Sequence, residues 1–147
     1  RLAAQLTTSA SFDSLWNVLT DYDRLNLYIP NLLSSKKIYQ KNKNVHLKQV
    51  GAQDFLGMKF SAEVTIDLFE DKELGLLKFT LIKGDFRKFE GSWKIQNIKD
   101  TSKNSLIYDL TVQGCQWMPI GMIEKRLKKD LSENLIAVDR QAKLSIN

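Results

Sequence analysis

Residues 106–142 have the sequence LIYDLTVQGCQWMPIGMIEKRLKKDLSENLIAVDRQA, and the architecture of the chain is clearest here. A predicted strand runs from Leu106 to Cys115, an apolar corner follows at residues 117–122, and a helix continues from Glu124. Apolar residues recur along this helix at intervals of three and four, which places them on one helical face. They are Ile123, Leu127, Leu131, Leu135, Val138 and Ala142.

The chain before this stretch begins with a short strand and two short helices. Partial alternation over Leu2–Thr8 predicts the first strand. Residues 11–20 predict a helix, because Ser11 is a favourable N-cap and apolar residues follow at helical spacing. Residues 21–26 predict a second helix that ends before Pro30, since a residue that precedes proline disfavours the helical conformation.

Six further strands are predicted between residue 33 and residue 115. The clearest covers residues 60–68, where apolar side chains alternate with polar ones and give one buried and one solvated face. Residues 51–58 are interpreted as a connection. The other strands are predicted at residues 33–39, 45–50, 77–81, 89–95 and 106–115.

This order of elements predicts one α+β domain over residues 1–147. Strands joined by short turns pair antiparallel, so the seven strands form one antiparallel sheet. Only the C-terminal helix is long enough to cover it, and the sheet is expected to curve around that helix. Such an arrangement can leave a cavity between sheet and helix, which would suit a small apolar ligand.

Composition excludes several classes of protein. The chain has 147 residues, of which 43% are hydrophobic and 27% charged, as in ordinary globular domains. No apolar run approaches the roughly 20 residues that span a bilayer. One cysteine, Cys115, allows no internal disulfide and fits the cytoplasm or another reducing compartment. Peripheral association with a membrane is compatible with a net charge of +5.

Four segments carry a resemblance to a known superfamily: residues 15–22 (LWNVLTDY), residues 28–32 (YIPNL), residues 84–93 (GDFRKFEGSW), and the Pro119 corner with its helix through Leu135. Together they resemble the START-like superfamily (SRPBCC, helix-grip), and most closely its polyketide cyclase/dehydrase and coenzyme Q-binding branch. One departure is Asp85, where the family has proline in a surface turn. The resemblance implies a helix-grip fold over essentially the whole chain. It implies no single function, because the superfamily includes lipid carriers, quinone binders, hormone receptors and aromatase/cyclases.

Inward-facing positions of consecutive strands form the candidate ligand site. Four aromatic residues share this parity, and they form either ordinary core or the wall of a pocket. Gly91 lies among them and leaves space on the same face, while Arg87 would supply a polar group near the rim. The predicted cavity residues are Phe79, Arg87, Phe89, Gly91, Trp93, Tyr108, Leu127 and Leu131.

Two apolar segments, residues 55–58 and 117–122, lie where loops are usually polar. They are tucked into the core, gate a pocket, or insert into a membrane. In the gating hypothesis they meet at one end of the sheet and form the cavity mouth. The mouth residues are then Phe55, Leu56, Met58, Trp117, Met118 and Met122.

No catalytic residue, metal ligand set or cofactor is predicted. His46 is the only histidine, and its neighbours carry the apolar parity, so it is expected at the surface. Too few ligands exist for a protein zinc site. The carboxylates Glu63, Asp67 and Asp109 fall on the solvated parity of their strands. If the protein is an enzyme, Arg87 and Tyr108 are the candidates that remain.

The favoured function is binding or transport of a hydrophobic molecule such as a lipid, quinone, isoprenoid or polyketide-like aromatic. The first alternative is an aromatase/cyclase or dehydratase that acts on such a molecule. The second is an assembly factor that uses the apolar loops as a protein interface. Basic residues 125–129 form a salt-bridged solvated face or contact anionic lipid. No nucleic acid partner is expected, since no aromatic platform accompanies these basic residues.

Overall fold

One antiparallel sheet of seven strands packs against a long C-terminal helix in the computed structural model, which describes residues 1–55, 58–114 and 120–144. This confirms the predicted α+β helix-grip fold. The elements in chain order are β1 (Leu2–Thr8), α1 (Phe12–Leu19), a 3₁₀ helix (Tyr22–Leu27), β2 (Leu32–Lys41), β3 (Asn44–Phe55), β4 (Met58–Asp71), β5 (Leu76–Gly84), β6 (Lys88–Asn97), β7 (Asn104–Gln113) and α2 (Ile120–Leu144).

Each strand except β1 pairs with its neighbours in sequence. The spatial order is β1-β7-β6-β5-β4-β3-β2, so the first strand joins the sheet beside the last one. Short connections impose antiparallel pairing on β2 through β7. The hairpin between β2 and β3 turns at Asn42, which adopts a φ of 55° that asparagine tolerates better than most residues.

The first helix begins where the sequence predicts. The Ser11 hydroxyl accepts a hydrogen bond from the Ser14 N–H at 3.1 Å and so satisfies one free donor of the first turn. Trp16 and Leu19 lie on the buried face of α1. The second predicted helix is a 3₁₀ helix, and Pro30 follows it before Asn31 turns the chain into β2.

The main correction to the predicted elements concerns the predicted connection at residues 51–58, because residues 51–55 and Met58 lie in strands. Strand β3 continues to Phe55, β4 begins at Met58, and Gly51 pairs with Ala62 in continuous register. Glycine and alanine at positions 51 and 52 weaken the alternation of apolar side chains in the sequence. The adjacent strand nevertheless supplies the backbone hydrogen-bond partners that hold this segment in the sheet.

The C-terminal half of α2 is fixed to the end of the sheet where β7 begins. Val138 and Ala142 are both fully buried there. The Thr8 hydroxyl donates a hydrogen bond to the Asp139 carboxylate, which ties β1 to the helix. The Asn104 amide donates to the Ala10 carbonyl at 2.9 Å. The helix therefore runs from the end of β7 back towards its beginning.

Candidate functional site

The inner face of the sheet is packed unevenly from one end to the other. Leu77, Ile95 and Leu106, here called the closed end, are no more than 3% exposed. Leu81, Phe89 and Val112 face the same way but are only partly buried, and they are called the open end. Because the same kinds of side chain occupy both ends, the difference reflects how far other segments of the chain cover them.

Aromatic rings line the inner face between the two ends. The centroids of Phe79 and Phe89 lie 5.6 Å apart, and Phe79 lies 6.4 Å from Tyr108. Trp93 stacks on Tyr108 with centroids 4.0 Å apart and planes inclined by 14°. Trp93 is partly buried although it projects from the middle of the sheet. The four aromatic residues that share inward parity in the sequence are thus contiguous.

A fifth aromatic ring, that of Phe86, belongs to this cluster and was not predicted from the sequence. Phe86 precedes β6, so the alternation of that strand did not place it on the inner face. In the structure its centroid lies 5.4 Å from that of Phe89, and it packs against the core. Arg87, the next residue, is exposed, while its N–H donates to the Gln113 carbonyl at 3.0 Å. Its predicted place at the rim of a ligand site stays a prediction.

Gly91 has a different role from the one expected. A Cβ atom at this position would lie 2.0 Å from the carbonyl oxygen of Asp109 and 3.0 Å from Cζ of Phe79. The Phe79 ring therefore occupies the space that Gly91 leaves. This glycine permits close packing of β6 against its neighbours and does not itself create a cavity.

Two polar residues interrupt the apolar face of α2 over the sheet. Asp130 is 7% exposed, and Oδ1 of Asn134 is buried without a hydrogen-bond partner in the described structure. They lie one turn apart, among Leu127, Leu131 and Val138, which is the stripe that buries the helix. The sequence indicated an apolar stripe with a solvated polar face, so the burial of these two residues was not predicted.

The environment of Asp130 corrects the interpretation of the basic helix segment as an entirely solvated face. Arg126 Nε lies 3.9 Å from Asp130 Oδ1, so the expected pair exists, but its carboxylate points inward. The Asn31 amide donates to the same oxygen at 3.4 Å. The spacing of charges predicted the ion pair correctly, whereas only the packing of the helix shows which partner is buried.

The charge of this carboxylate also acts on Tyr108 of β7. Burial raises the pKa of the Tyr108 phenol well above its ordinary value, and the negative charge of Asp130 raises the pKa further. The phenol thus remains protonated near neutral pH and can donate a hydrogen bond. Tyr108, Asp130 and Asn134 are thus the polar groups that lie among the buried apolar side chains of β7 and α2.

The predicted mouth residues cannot be placed in this geometry. Leu56, Trp117 and Met118 lie outside the described residues, as does Cys115. The backbones of Phe55 and Met58 pair as the last residues of the β3–β4 hairpin, and Met122 lies in the first turn of α2. Their side chains are not among those described, so the gating hypothesis stays a prediction.

The remaining titratable candidates lie on the outer face of the sheet. Glu63 pairs with Lys48 at 2.9 Å, and Asp109 pairs with Arg1 at 2.5 Å. His46 Nε2 lies 3.3 Å from Asp67 Oδ1, with the His46 side chain 34% exposed. The outward parity predicted for these residues is confirmed, and none of them reaches the inner aromatic cluster.

The described residues offer neither a metal site nor a membrane-spanning helix. Within residues 1–55, 58–114 and 120–144, no three histidine, cysteine or carboxylate side chains are grouped so that they could hold a metal ion. Over those residues, no helix combines the length and apolarity needed to cross a bilayer.

Stability is expected to fall steeply above about pH 10. Burial raises the pKa of Tyr22, Tyr28 and Tyr108 above the ordinary value of 10.0, and a hydrogen bond to Glu70 adds to the rise at Tyr22. A group whose pKa is higher in the folded state than in the unfolded state contributes its full stabilisation at any pH below the unfolded pKa. This contribution is lost as the pH rises above the unfolded pKa towards the folded one. Urea unfolding between pH 8 and 11 measures the decline. Tyr108→Phe should lessen its slope by up to about 1.4 kcal/mol per pH unit, and an unchanged slope would contradict the assignment of Tyr108.

Three solved structures share this fold over nearly the whole chain. A Thermus thermophilus protein superposes with a TM-score of 0.83 at 15% identity, covering 99% of both chains. The Zhui aromatase/cyclase of a Streptomyces species gives 0.80 at 15% identity, covering 99% of this chain and 94% of that one. A STAR-related lipid transfer protein from Xanthomonas axonopodis gives 0.80 at 11% identity, covering 96% and 84%. Identities this low show the fold alone.

Family membership follows from the sequence itself. No curated protein matches the chain. The family profile described as polyketide cyclase / dehydrase and lipid transport, however, matches residues 8–139. This range includes α1, the whole of the sheet from β2 to β7 and most of α2. The chain belongs to the polyketide cyclase/dehydrase and lipid transport family.

Proposed function

We propose that the protein binds a hydrophobic small molecule between the open end of the sheet and the N-terminal half of α2. The observation that supports this most is the contrast between Leu106, fully buried at the closed end, and Phe89 and Val112, which remain accessible at the open end. Leaving large apolar side chains accessible forgoes roughly 25 cal/mol for each Å² not buried. A ligand that covers them would recover this free energy.

The lining favours a ligand with a flat ring. Trp93 and Phe89 are partly buried, and both belong to the aromatic cluster that includes Tyr108. Aromatic groups gain from offset or edge-on contact with such rings beyond the area they bury. Ligand pockets typically combine a mostly apolar wall with a few polar groups. A quinone or a polyketide-like aromatic fits this description best, while a lipid or isoprenoid would use the apolar wall alone.

The second candidate is a cyclase or dehydratase reaction on the same type of molecule, and the Asp130–Tyr108 pair favours it. A buried carboxylate beside a protonated phenol could move a proton to or from a bound carbonyl compound. The fold would hold the reactive chain in a productive conformation, which alone can accelerate a cyclisation. Arg87, exposed at the same end of the sheet, could orient a carbonyl or acidic group.

Access from an anionic membrane surface is part of the proposal. Three exposed lysines lie near the start of α2: Lys125, Lys128 and Lys129. The ion pair of Lys129 with Glu133 is long, with 3.8 Å between the nitrogen and the oxygen. Each basic residue close to an anionic bilayer contributes about 1 kcal/mol. The apolar segments around Phe55 and Trp117, proposed as the mouth, would then meet the lipid.

Binding can be measured with the neutral dye N-phenyl-naphthylamine, whose fluorescence rises in apolar surroundings. We expect the purified protein to bind it, and Leu127→Trp to weaken binding at least tenfold, because the larger side chain fills the space over the open end. Ile136→Trp is the matched control: Ile136 lies on the same helix but is 47% exposed, so dye binding should not change. Equal loss in both variants, with both folded, would contradict the assigned site.

Extraction of the purified protein with organic solvent, followed by mass spectrometry, distinguishes the functions. A co-purifying lipid, quinone or aromatic supports the binder. Conversion of a supplied linear polyketone supports the cyclase. A protein that contains no ligand, fails to bind the dye and captures a defined partner would overturn both and support the assembly factor.

A further inference from the structure

Strand β2 forms one edge of the sheet and contains two β-bulges. Its register with β3 shifts at Leu33 and again at Ile38, so neither residue has a partner on β3. A bulge interrupts the alternation of a strand and redirects the side chain of its extra residue. Here both extra residues are large and aliphatic, and they are 59% and 52% exposed. The edge therefore displays two side chains of a kind that proteins ordinarily bury.

Other exposed apolar residues lie beside these two. Leu27 ends the 3₁₀ helix, which is fixed to β2 because the Lys37 N–H donates to the Asp23 carboxylate at 2.7 Å. Contiguous exposed apolar surface commonly marks a contact with a protein or a membrane. Four of the nine large apolar side chains that are exposed in the described structure fall within residues 27–39: Leu27, Leu33, Ile38 and Tyr39.

The net positive charge of the chain lies in the same segment. Residues 27–53 contain five of the 22 basic residues and none of the 17 acidic ones, so the two kinds are equal in number over the rest of the chain. Four of these five are exposed in β2 and the turn after it: Lys36, Lys37, Lys41 and Lys43. None of the four forms an ion pair with another described residue, so their charge is available to an anionic partner.

The β2 edge is poorly suited to pairing with another strand or to stacking with bases. Bulges and lysines on an edge strand oppose the addition of a further strand. The Lys37 N–H, one of the backbone donors of this strand, is already bound to Asp23. Single-stranded nucleic acid requires aromatic rings on which bases stack, whereas Leu33 and Ile38 are aliphatic. An anionic bilayer requires neither a regular strand nor rings, because aliphatic side chains insert at the headgroup boundary and lysines are attracted to anionic lipid.

We propose that the β2 edge docks on the surface of an anionic membrane, with Leu33 and Ile38 inserted among the headgroups. This rests on the proposed function and specifies the surface that faces the bilayer from which an apolar ligand is taken up. Strand β2 begins opposite Gly51 of β3, four residues before Phe55 of the proposed mouth. Directly before β2, the Asn31 amide donates to Asp130 of α2, the neighbour of the exposed Lys129. A docked β2 edge would thus bring both proposed parts of the entrance close to lipid.

Cosedimentation with vesicles measures this docking. The protein should bind vesicles that contain phosphatidylserine, should bind vesicles of phosphatidylcholine alone much more weakly, and should be released as the salt concentration rises. Leu33→Ser combined with Ile38→Ser should weaken binding to the phosphatidylserine vesicles about tenfold, because two aliphatic side chains no longer insert. Lys36→Gln combined with Lys41→Gln should weaken it by about the same factor through loss of attraction.

Each double variant has a matched control elsewhere on the surface. Leu74→Ser with Ile82→Ser removes the same two types of side chain, which are 63% and 48% exposed, and should leave vesicle binding unchanged. Lys94→Gln with Lys103→Gln removes the same charge from other exposed positions and should have a much smaller effect than the β2 pair. Circular dichroism establishes that all four variants are folded.

The outcomes separate the docking surface from the proposed function. An unchanged affinity in the Leu33/Ile38 variant, or an equal loss in its control, would overturn the docking surface, as would equal binding to vesicles without phosphatidylserine. None of these substitutions lies in the aromatic cluster or on α2, so all variants should bind N-phenyl-naphthylamine like the unmodified protein. Dye binding without vesicle binding refutes the docking surface and leaves the proposed function intact. Vesicle binding without dye binding refutes the proposed function instead.

Discussion

Replacing Gly91 by alanine is expected to destabilise the domain by about 3 kcal/mol or more, the upper part of the range for overpacked interiors. The added Cβ would lie 2.0 Å from the carbonyl oxygen of Asp109. That oxygen belongs to β7, which is paired with β6 across its whole length, so it cannot move without breaking the strand register. Thermal and urea unfolding monitored by circular dichroism measure the loss.

Gly51→Ala is the matched control for this prediction. Gly51 also lies within a strand, but a Cβ there would meet only the Asn31 carbonyl oxygen, at 3.5 Å, which is ordinary contact. We expect a change of no more than about 1 kcal/mol, and a small gain in stability is the favoured direction. If the two variants lose equal stability, strand glycines matter here through propensity rather than through the close approach of β7 to β6.

The second large effect concerns one substitution made twice on α2. Leu135→Ala is expected to cost about 3 kcal/mol, because Leu135 is 2% exposed and its removal leaves a cavity. Leu127→Ala should cost only about 1 kcal/mol, since Leu127 is partly buried over the open end and water can fill the space. Urea unfolding of both variants supplies the comparison.

In ligand binding the order of the two effects should be reversed, with the larger effect from Leu127→Ala. Leu127→Ala changes the wall of the proposed site and is expected to alter the affinity for N-phenyl-naphthylamine severalfold. Leu135→Ala, nearer the closed end, should leave the affinity of the folded fraction unchanged. Comparable losses of stability at both positions would mean that the helix seals the sheet evenly, and the argument for an accessible inner space would be lost.

The elements of the fold could be predicted because each has a local cause. Alternation of apolar side chains marks β4, and the 3–4 spacing of Leu131, Leu135 and Val138 marks α2. Ser11 marks the start of α1 through a hydrogen bond within three residues. Prediction failed at residues 51–55, where a neighbouring strand rather than side-chain alternation keeps the backbone in the sheet.

Part of the candidate site could also be predicted, because it too depends on local patterns in the sequence. Parity along separate strands placed Phe79, Phe89, Trp93 and Tyr108 on one face, and the structure brings them together as a cluster. Phe86 lies outside a strand, so no periodicity could place it. Asp130 and Asn134, whose polar groups are buried in the structure, look in sequence like ordinary polar residues of an amphipathic helix.

The sequence by itself determined which residues form strands and helices, which side of each strand is apolar, and the superfamily that this order resembles. These properties depend on neighbours within about four positions. Only the tertiary structure decided that the Phe79 ring occupies the space beside Gly91, and that Asp130 points inward while Arg126 remains nearer the surface. It also decided that the inner face of the sheet is closed at one end and open at the other. The physical reason is that burial depends on which segments distant in sequence cover a side chain, and a helix covers the sheet only along the part of its length that lies close to it.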